Sequence, residues 1–205
     1  TGEPALMNDP TPVHDNRFAV MVGRVMNPFL LPIPTLLIIL NEQPFNELLV
    51  WFTLTMGLIL VPGAVATRLT ERHVSPIYKR QTRGPLYLIA WISVLACLAV
   101  ILRLNAPLIL IASVATLAVW VPLQWAINTW VTEISAHAAV VSGCLTTLIV
   151  LGKAGTPLVT TILLVLVFLT IWARVVTRHH TPIQVILGIL VGILPVLIVF
   201  PLMLS

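Results

Sequence analysis

The chain has 205 residues, of which 59% are hydrophobic and 9% charged. An ordinary soluble domain carries about 25% charged residues, so this chain has too few to cover an aqueous surface, which excludes the water-soluble globular class. Its net charge is +4, but no long basic run stands outside the loops, which argues against a nucleic-acid partner.

Residues 1–24 are polar and read as an N-terminal tail with no apolar stretch of signal-peptide type, so the first apolar segment is expected to direct insertion. Residues 25–205 read as a single membrane-embedded domain. Its apolar segments are 25–40, 48–66, 86–102, 106–127, 137–152, 157–173 and 183–204. Most reach the length of about 17 to 20 residues that crosses a bilayer as a helix. The expected fold class is all-α, a polytopic membrane helical bundle of about six to seven transmembrane helices. Segment 25–40 is short and contains Pro28, Pro32 and Pro34, so it is expected to be kinked or only partly spanning. Cys97 and Cys144 lie far apart inside apolar segments, which makes them small buried residues rather than a disulfide or metal pair.

This order of segments places the tail, loop 67–84, stretch 128–137 and loop 174–182 on one membrane face. Arg17, Arg24, Arg68, Arg72, Lys79, Arg80, Arg83, Arg174 and Arg178 fall on that face, against Arg103 and Lys153 on the other. Positive charge is retained on the inner side, so the motif-bearing loops are expected to be cytoplasmic in a multi-pass protein of the cell membrane.

Three of these stretches bring ionisable residues to the ends of spans. One holds Lys79, Arg80 and Arg83. Another holds Glu133, Ser135, Ala136 and His137. The last holds Arg174, Arg178, His179 and His180, followed by Gln184. Headgroup anchoring would account for any one of them. Polar groups at membrane depth are costly and mark functional sites, and three such stretches on one face point to a common site. Arginine forks suit phosphate oxygens, and a helix N-terminus near Ser135 offers free amides to an anion. One histidine could attack phosphorus while the other protonates the leaving oxygen. Trp125, Trp130 and Trp172 near the same face read as an interfacial belt.

The pattern resembles the type 2 phosphatidic acid phosphatase family, which is related to vanadium haloperoxidases. That family has a Lys followed by Arg-Pro, then Pro-Ser-Gly-His, then Ser-Arg with a His six residues after the Arg and an Asp four further on. Here the third motif reads Ala173, Arg174, His180, Gln184 and Gly188. The second reads Ile134, Ser135, Ala136 and His137. The first runs from Lys79 to Arg83, Gly84 and Pro85. The likeness covers roughly residues 70–190. It implies that His180 is the phosphorylated nucleophile and His137 the general acid. Arg174, Arg83 and Lys79 would clamp the phosphoryl oxygens, with Ser135 and the Ala136 backbone completing the anion site. The implied substrate is a lipid phosphate, polyprenyl phosphates included. No metal or other cofactor is implied, because arginines supply the positive charge.

Four positions depart from the family pattern. Gln184 replaces the aspartate, Ile134 the proline and Ala173 the serine. Lys79 lies four residues from Arg83 where seven is usual, and Pro76 stands at the expected place. The aspartate orients the nucleophilic histidine and carries the opposing charge. In Ser-His-Asp proteases the analogous loss of that charge costs about 10⁴ in rate. The sequence therefore supports two expectations: a lipid phosphate phosphatase working through a phosphohistidine, or a catalytically impaired relative that binds lipid as an accessory subunit of a membrane complex. The expected partners are membrane lipids and, in the second case, other membrane subunits.

Overall fold

The computed structural model describes residues 16–73 and 84–205. It is all-helical among those residues. Eight helices follow in chain order: α1 (Arg17–Val25), α2 (Pro32–Ile39), α3 (Phe45–His73), α4 (Gly84–Arg103), α5 (Leu108–Trp130), α6 (Ala136–Val150), α7 (Pro157–Val176) and α8 (Pro182–Leu204). Five of them, α3, α4, α5, α7 and α8, are long and apolar enough to cross a membrane. Helix α6 is apolar but shorter.

The outward surfaces explain where the apolar residues go. On α7, Leu158, Ile162, Val165 and Phe168 are exposed, and on α8 so are Ile186, Leu190, Leu194 and Leu197. Their helical spacing makes continuous apolar stripes. Water would not tolerate such stripes on a soluble protein, but lipid does, and the chain is a multi-pass membrane protein. Internal prolines Pro62, Pro122 and Pro195 stand inside α3, α5 and α8, as is tolerated in such helices.

Segment 25–40 is broken. Helix α1 ends at Val25, the chain bends through 26–31, and α2 has only eight residues, or about 12 Å. The bend supplies its own partners: the Asn27 side-chain oxygen accepts from the Phe29 amide at 2.9 Å, and the Asn27 carbonyl accepts from Leu30 and Leu31. Residues 17–24, which read as part of a polar tail, form a helix together with Val25. Asn16 caps it by accepting from Ala19 N at 3.0 Å. Ala19 and Val22 then pack with Met26 and Ala173, beside Trp172.

The bundle has two distinct ends. At one, Lys153 donates to Asn41 Oδ1 at 2.8 Å and pairs with Glu42. At the other lie α1, the 131–135 link and the α7–α8 turn. Two clusters form the interior. Leu40, Cys97, Ile101, Leu110 and Val114 join α2 through α5, while Ala112, Val196 and Phe200 join α5 to α8.

Helices α6 and α8 pack closest. A Cβ on Gly188 would come within 2.6 Å of the Ser135 carbonyl oxygen, and one on Gly192 would overlap the Ala139 carbonyl and the Ser142 hydroxyl. The backbones can meet only because these positions lack side chains. Ser142 Oγ then donates across the seam to the Ile189 carbonyl at 3.2 Å.

Candidate functional site

The site is assembled at the end of the bundle opposite Lys153, and local backbone chemistry places each group. Helix α7 terminates in a Schellman motif. The Arg178 amide bonds to the Val175 carbonyl and the His179 amide to the Arg174 carbonyl, the double bond pattern of that motif. The same pattern closes α4 at Asn105 and α6 at Gly152. Asn and Gly tolerate the left-handed conformation that it requires. At α7 the residue is Arg178, with φ at 51°, a strained choice for a side chain with a full Cβ. The His180 amide also reaches the Arg174 carbonyl, at 3.4 Å. The turn therefore folds His180 back beside Arg174.

Helix α8 starts with a capping box. Thr181 Oγ1 accepts from the Gln184 amide at 3.3 Å, and Gln184 Oε1 accepts from the Thr181 amide at 2.9 Å. Gln184 is buried, and it also donates to Thr132 Oγ1 at 3.3 Å. Its carbonyl accepts from the Ser135 amide at 3.2 Å, tying the start of α6 to the first turn of α8. The 131–135 link is latched from the other side by Asn128. That side chain accepts from the Ile134 amide at 2.8 Å and donates to the Tyr87 hydroxyl. Ser135 is fully buried, and its hydroxyl caps α6 by accepting from Ala138 N.

These constraints bring three side chains together. Arg174 Nη2 lies 2.6 Å from His137 Nδ1 and 2.9 Å from Nε2. A guanidinium can only donate, so His137 must offer a lone pair and is held as a neutral imidazole. The Gly23 carbonyl of α1 accepts from the same ring. His180 stands within electrostatic reach of both, hydrogen-bonded to the Gln184 side chain and facing Glu133. Burial is the larger reason that His180 titrates below its ordinary value, and the Arg174 charge is the second; Glu133 and Gln184 oppose them. His179 turns aside, with Nδ1 2.7 Å from Thr177 Oγ1. Arg174 Nε is buried with no hydrogen-bond partner among the described residues.

The sequence-derived set divides accordingly. His137, Arg174, His180 and Gln184 converge. Ser135 is adjacent but turns its hydroxyl to its own helix, while Ala136 opens α6 beside it. Lys79 and Arg83 lie outside the described residues. Two contributors escape a reading of the sequence: Gly23, whose carbonyl meets His137, and Asn128, which holds the link. Asn16 before an apolar-periodic run signals the first. A polar residue deep in an apolar helix signals the second. Among the described residues no three His, Cys, Asp or Glu side chains group as metal ligands. No family model matches the chain, and searches of curated proteins and of solved structures found no similar protein.

Proposed function

We propose that the His137–Arg174–His180 cluster binds the phosphate of a membrane lipid and hydrolyses it through a phosphohistidine on His180. The observation that carries this reading is Arg174: a half-buried arginine whose Nε is buried and unpaired, flanked by two histidines, with no carboxylate pairing with it among the described residues. A partly buried cation without a counter-charge favours an anion, and its planar fork suits phosphate oxygens. A bound phosphate would draw Arg174 from His137 onto its own oxygens. The freed imidazole, now beside a dianion, would take up a proton and become the acid that the leaving group needs. With one nitrogen of His180 held by Gln184, the other attacks phosphorus. The lipid P–O bond breaks, His137 protonates the lipid alkoxide, and water then cleaves the P–N bond to release phosphate. The likeness to type 2 phosphatidic acid phosphatases supports these roles, and the distribution of Lys and Arg supports a cytoplasmic site.

A second reading is binding without turnover, as an accessory subunit. One observation favours it: the group bonded to His180 is the neutral Gln184 amide, which brings no charge to stabilise an imidazolium.

Phosphate release from dispersed lipid phosphates, by the intact chain and by His180→Ala, tests the mechanism. Release that disappears in the variant, with an acid-labile phosphoenzyme trapped in the parent, is the expected result. Full release by His180→Ala removes the phosphohistidine. No release by the parent, with lipid phosphate still retained through Arg174, leaves the binding reading.

A further inference from the structure

A partly open cavity of about 440 Å³ lies between α2, α3, α4, α5, α6 and α8, with Pro28 and Phe29 of the bend at its edge. It follows α6 from Ala136 to Thr147, a length of about 16 Å at the helical rise. Its wall is almost wholly apolar, and no charged residue contributes to it. Most of its polar members are already satisfied within the protein. Thr116 bonds to the Ala112 carbonyl, Ser113 to Ile109 and Thr35 to Leu31. The Tyr87 hydroxyl accepts from Asn128.

Three wall groups differ. Thr55 Oγ1, Gln124 Oε1 and Trp120 Nε1 are buried without a hydrogen-bond partner among the described residues, and the last two stand on one helix. Gln124 as a whole is 2% exposed. Trp120 and Gln124 are four apart on α5, so they share one face of the helix. One is an acceptor and the other a donor. Leaving both unpaired in an apolar interior is unfavourable, because each has given up water without gaining a protein partner. A single hydroxyl can donate to the amide oxygen and accept from the indole N–H. A hydroxyl would also serve either orientation of the Gln124 amide, being donor and acceptor at once.

We infer that this cavity is a binding site for a neutral long-chain alcohol, its hydroxyl held by Trp120 and Gln124 and its chain lying along α5 and α6. The absence of wall charge selects against an ionised headgroup. The unpaired amide selects for a hydroxyl over a plain hydrocarbon, because a site built to bond a hydroxyl discriminates strongly against a ligand that lacks it. This site is separate from the Arg174 cluster and does not rest on the phosphate reading.

The test uses the full chain in lipid nanodiscs and two photolabels: hexadecanol with a mid-chain diazirine, and the corresponding diazirine alkane without the hydroxyl. Adducts are mapped by mass spectrometry. The alcohol should label the α5 and α6 wall at concentrations roughly tenfold below the alkane. Gln124→Leu should erase that advantage while leaving thermal stability equal or higher, because it deletes an unpaired buried group. Val140→Trp, which fills the cavity, should block both labels. Equal labelling by alcohol and alkane in the parent chain would overturn the inference whatever the variants do. So would an alcohol preference that survives Gln124→Leu, or labelling undiminished in Val140→Trp.

Discussion

Two glutamines are buried in apolar helices of this bundle, and they are bonded in opposite ways. Gln184 is bonded throughout: its oxygen caps Thr181, its nitrogen reaches Thr132, and its backbone carbonyl ties Ser135. Gln124 leaves its oxygen unpaired against a cavity wall. Burial alone thus says little about what a polar side chain does in a membrane. A completed set of bonds marks a residue that positions others, while an incomplete set points to a ligand that completes it. Arg174 belongs with Gln124 in this respect, with a buried donor left over, but it carries a charge. The two sites therefore ask for different chemistry, an anion at the bundle end and a neutral hydroxyl in the interior.

The sharpest way to break this contrast is Gln184→Asp. The carboxylate oxygen can still accept from Thr181 and from His180, and it adds the charge that the amide lacks. Phosphate release from lipid phosphates is expected to rise by up to about 10⁴, the size of the analogous charge effect in Ser-His-Asp proteases. A rate unchanged from the parent would mean that the scaffold does not hold His180 for attack, and would leave the binding reading.

Arg174→Ala is expected to lower turnover of lipid phosphates, or their retention if there is no turnover, by about 10² to 10³, the usual effect of removing one preorganised donor to a phosphoryl or oxyanion group. It should leave capture of the long-chain alcohol unaltered. If both are lost together, the sites are not independent and the contrast fails.

A smaller effect separates the glutamines as structural elements. Gln184→Leu removes a capping box and an inter-helix tie, so thermal unfolding in detergent should show a loss of about 1 to 3 kcal/mol. Gln124→Leu should show none. Equal losses in the two variants would show that Gln124 has a partner of its own.

Much of this arrangement was legible in the chain, for physical reasons. The lipid-facing stripes of α7 and α8 need long apolar runs, so hydropathy locates them. Pro28, Pro32 and Pro34 cannot support a continuous helix, and the chain bends at 26–31 as their spacing implies. His137, Arg174 and His180 are conspicuous because ionisable groups are rare in such segments. The rest depends on tertiary contact. Helix α1 looks like polar tail until Ala19 and Val22 find Ala173, and only then does the Gly23 carbonyl reach His137. Ser135 is named from the sequence as an anion ligand, and only the fold shows that its hydroxyl also caps α6 by accepting from Ala138 N. Gln124 and Trp120 give no sign in sequence that their partners are missing, since that depends on five other helices.

The smallest expected effect concerns protons and again divides the two sites. Folding holds His180 below its ordinary value, first through burial and then through Arg174. As pH falls through about 6.5, the unfolded chain takes up a proton that the folded chain refuses, so stability is present above that pH and is lost on acidification toward the folded value. Histidine resonances followed by NMR should place the His180 titration below the ordinary range. In Arg174→Leu it should move back upward but stop short of that range, because the larger cause, burial, remains. A return all the way would mean that the Arg174 charge, and not burial, holds His180 neutral. Gln124 and Trp120 have no titration in this interval, so alcohol capture in the cavity should stay level while His180 changes state. A parallel pH dependence at both sites would mean that the bundle end and the cavity are coupled through α6, which carries His137 in its first turn and lines the cavity from Ala136 to Thr147.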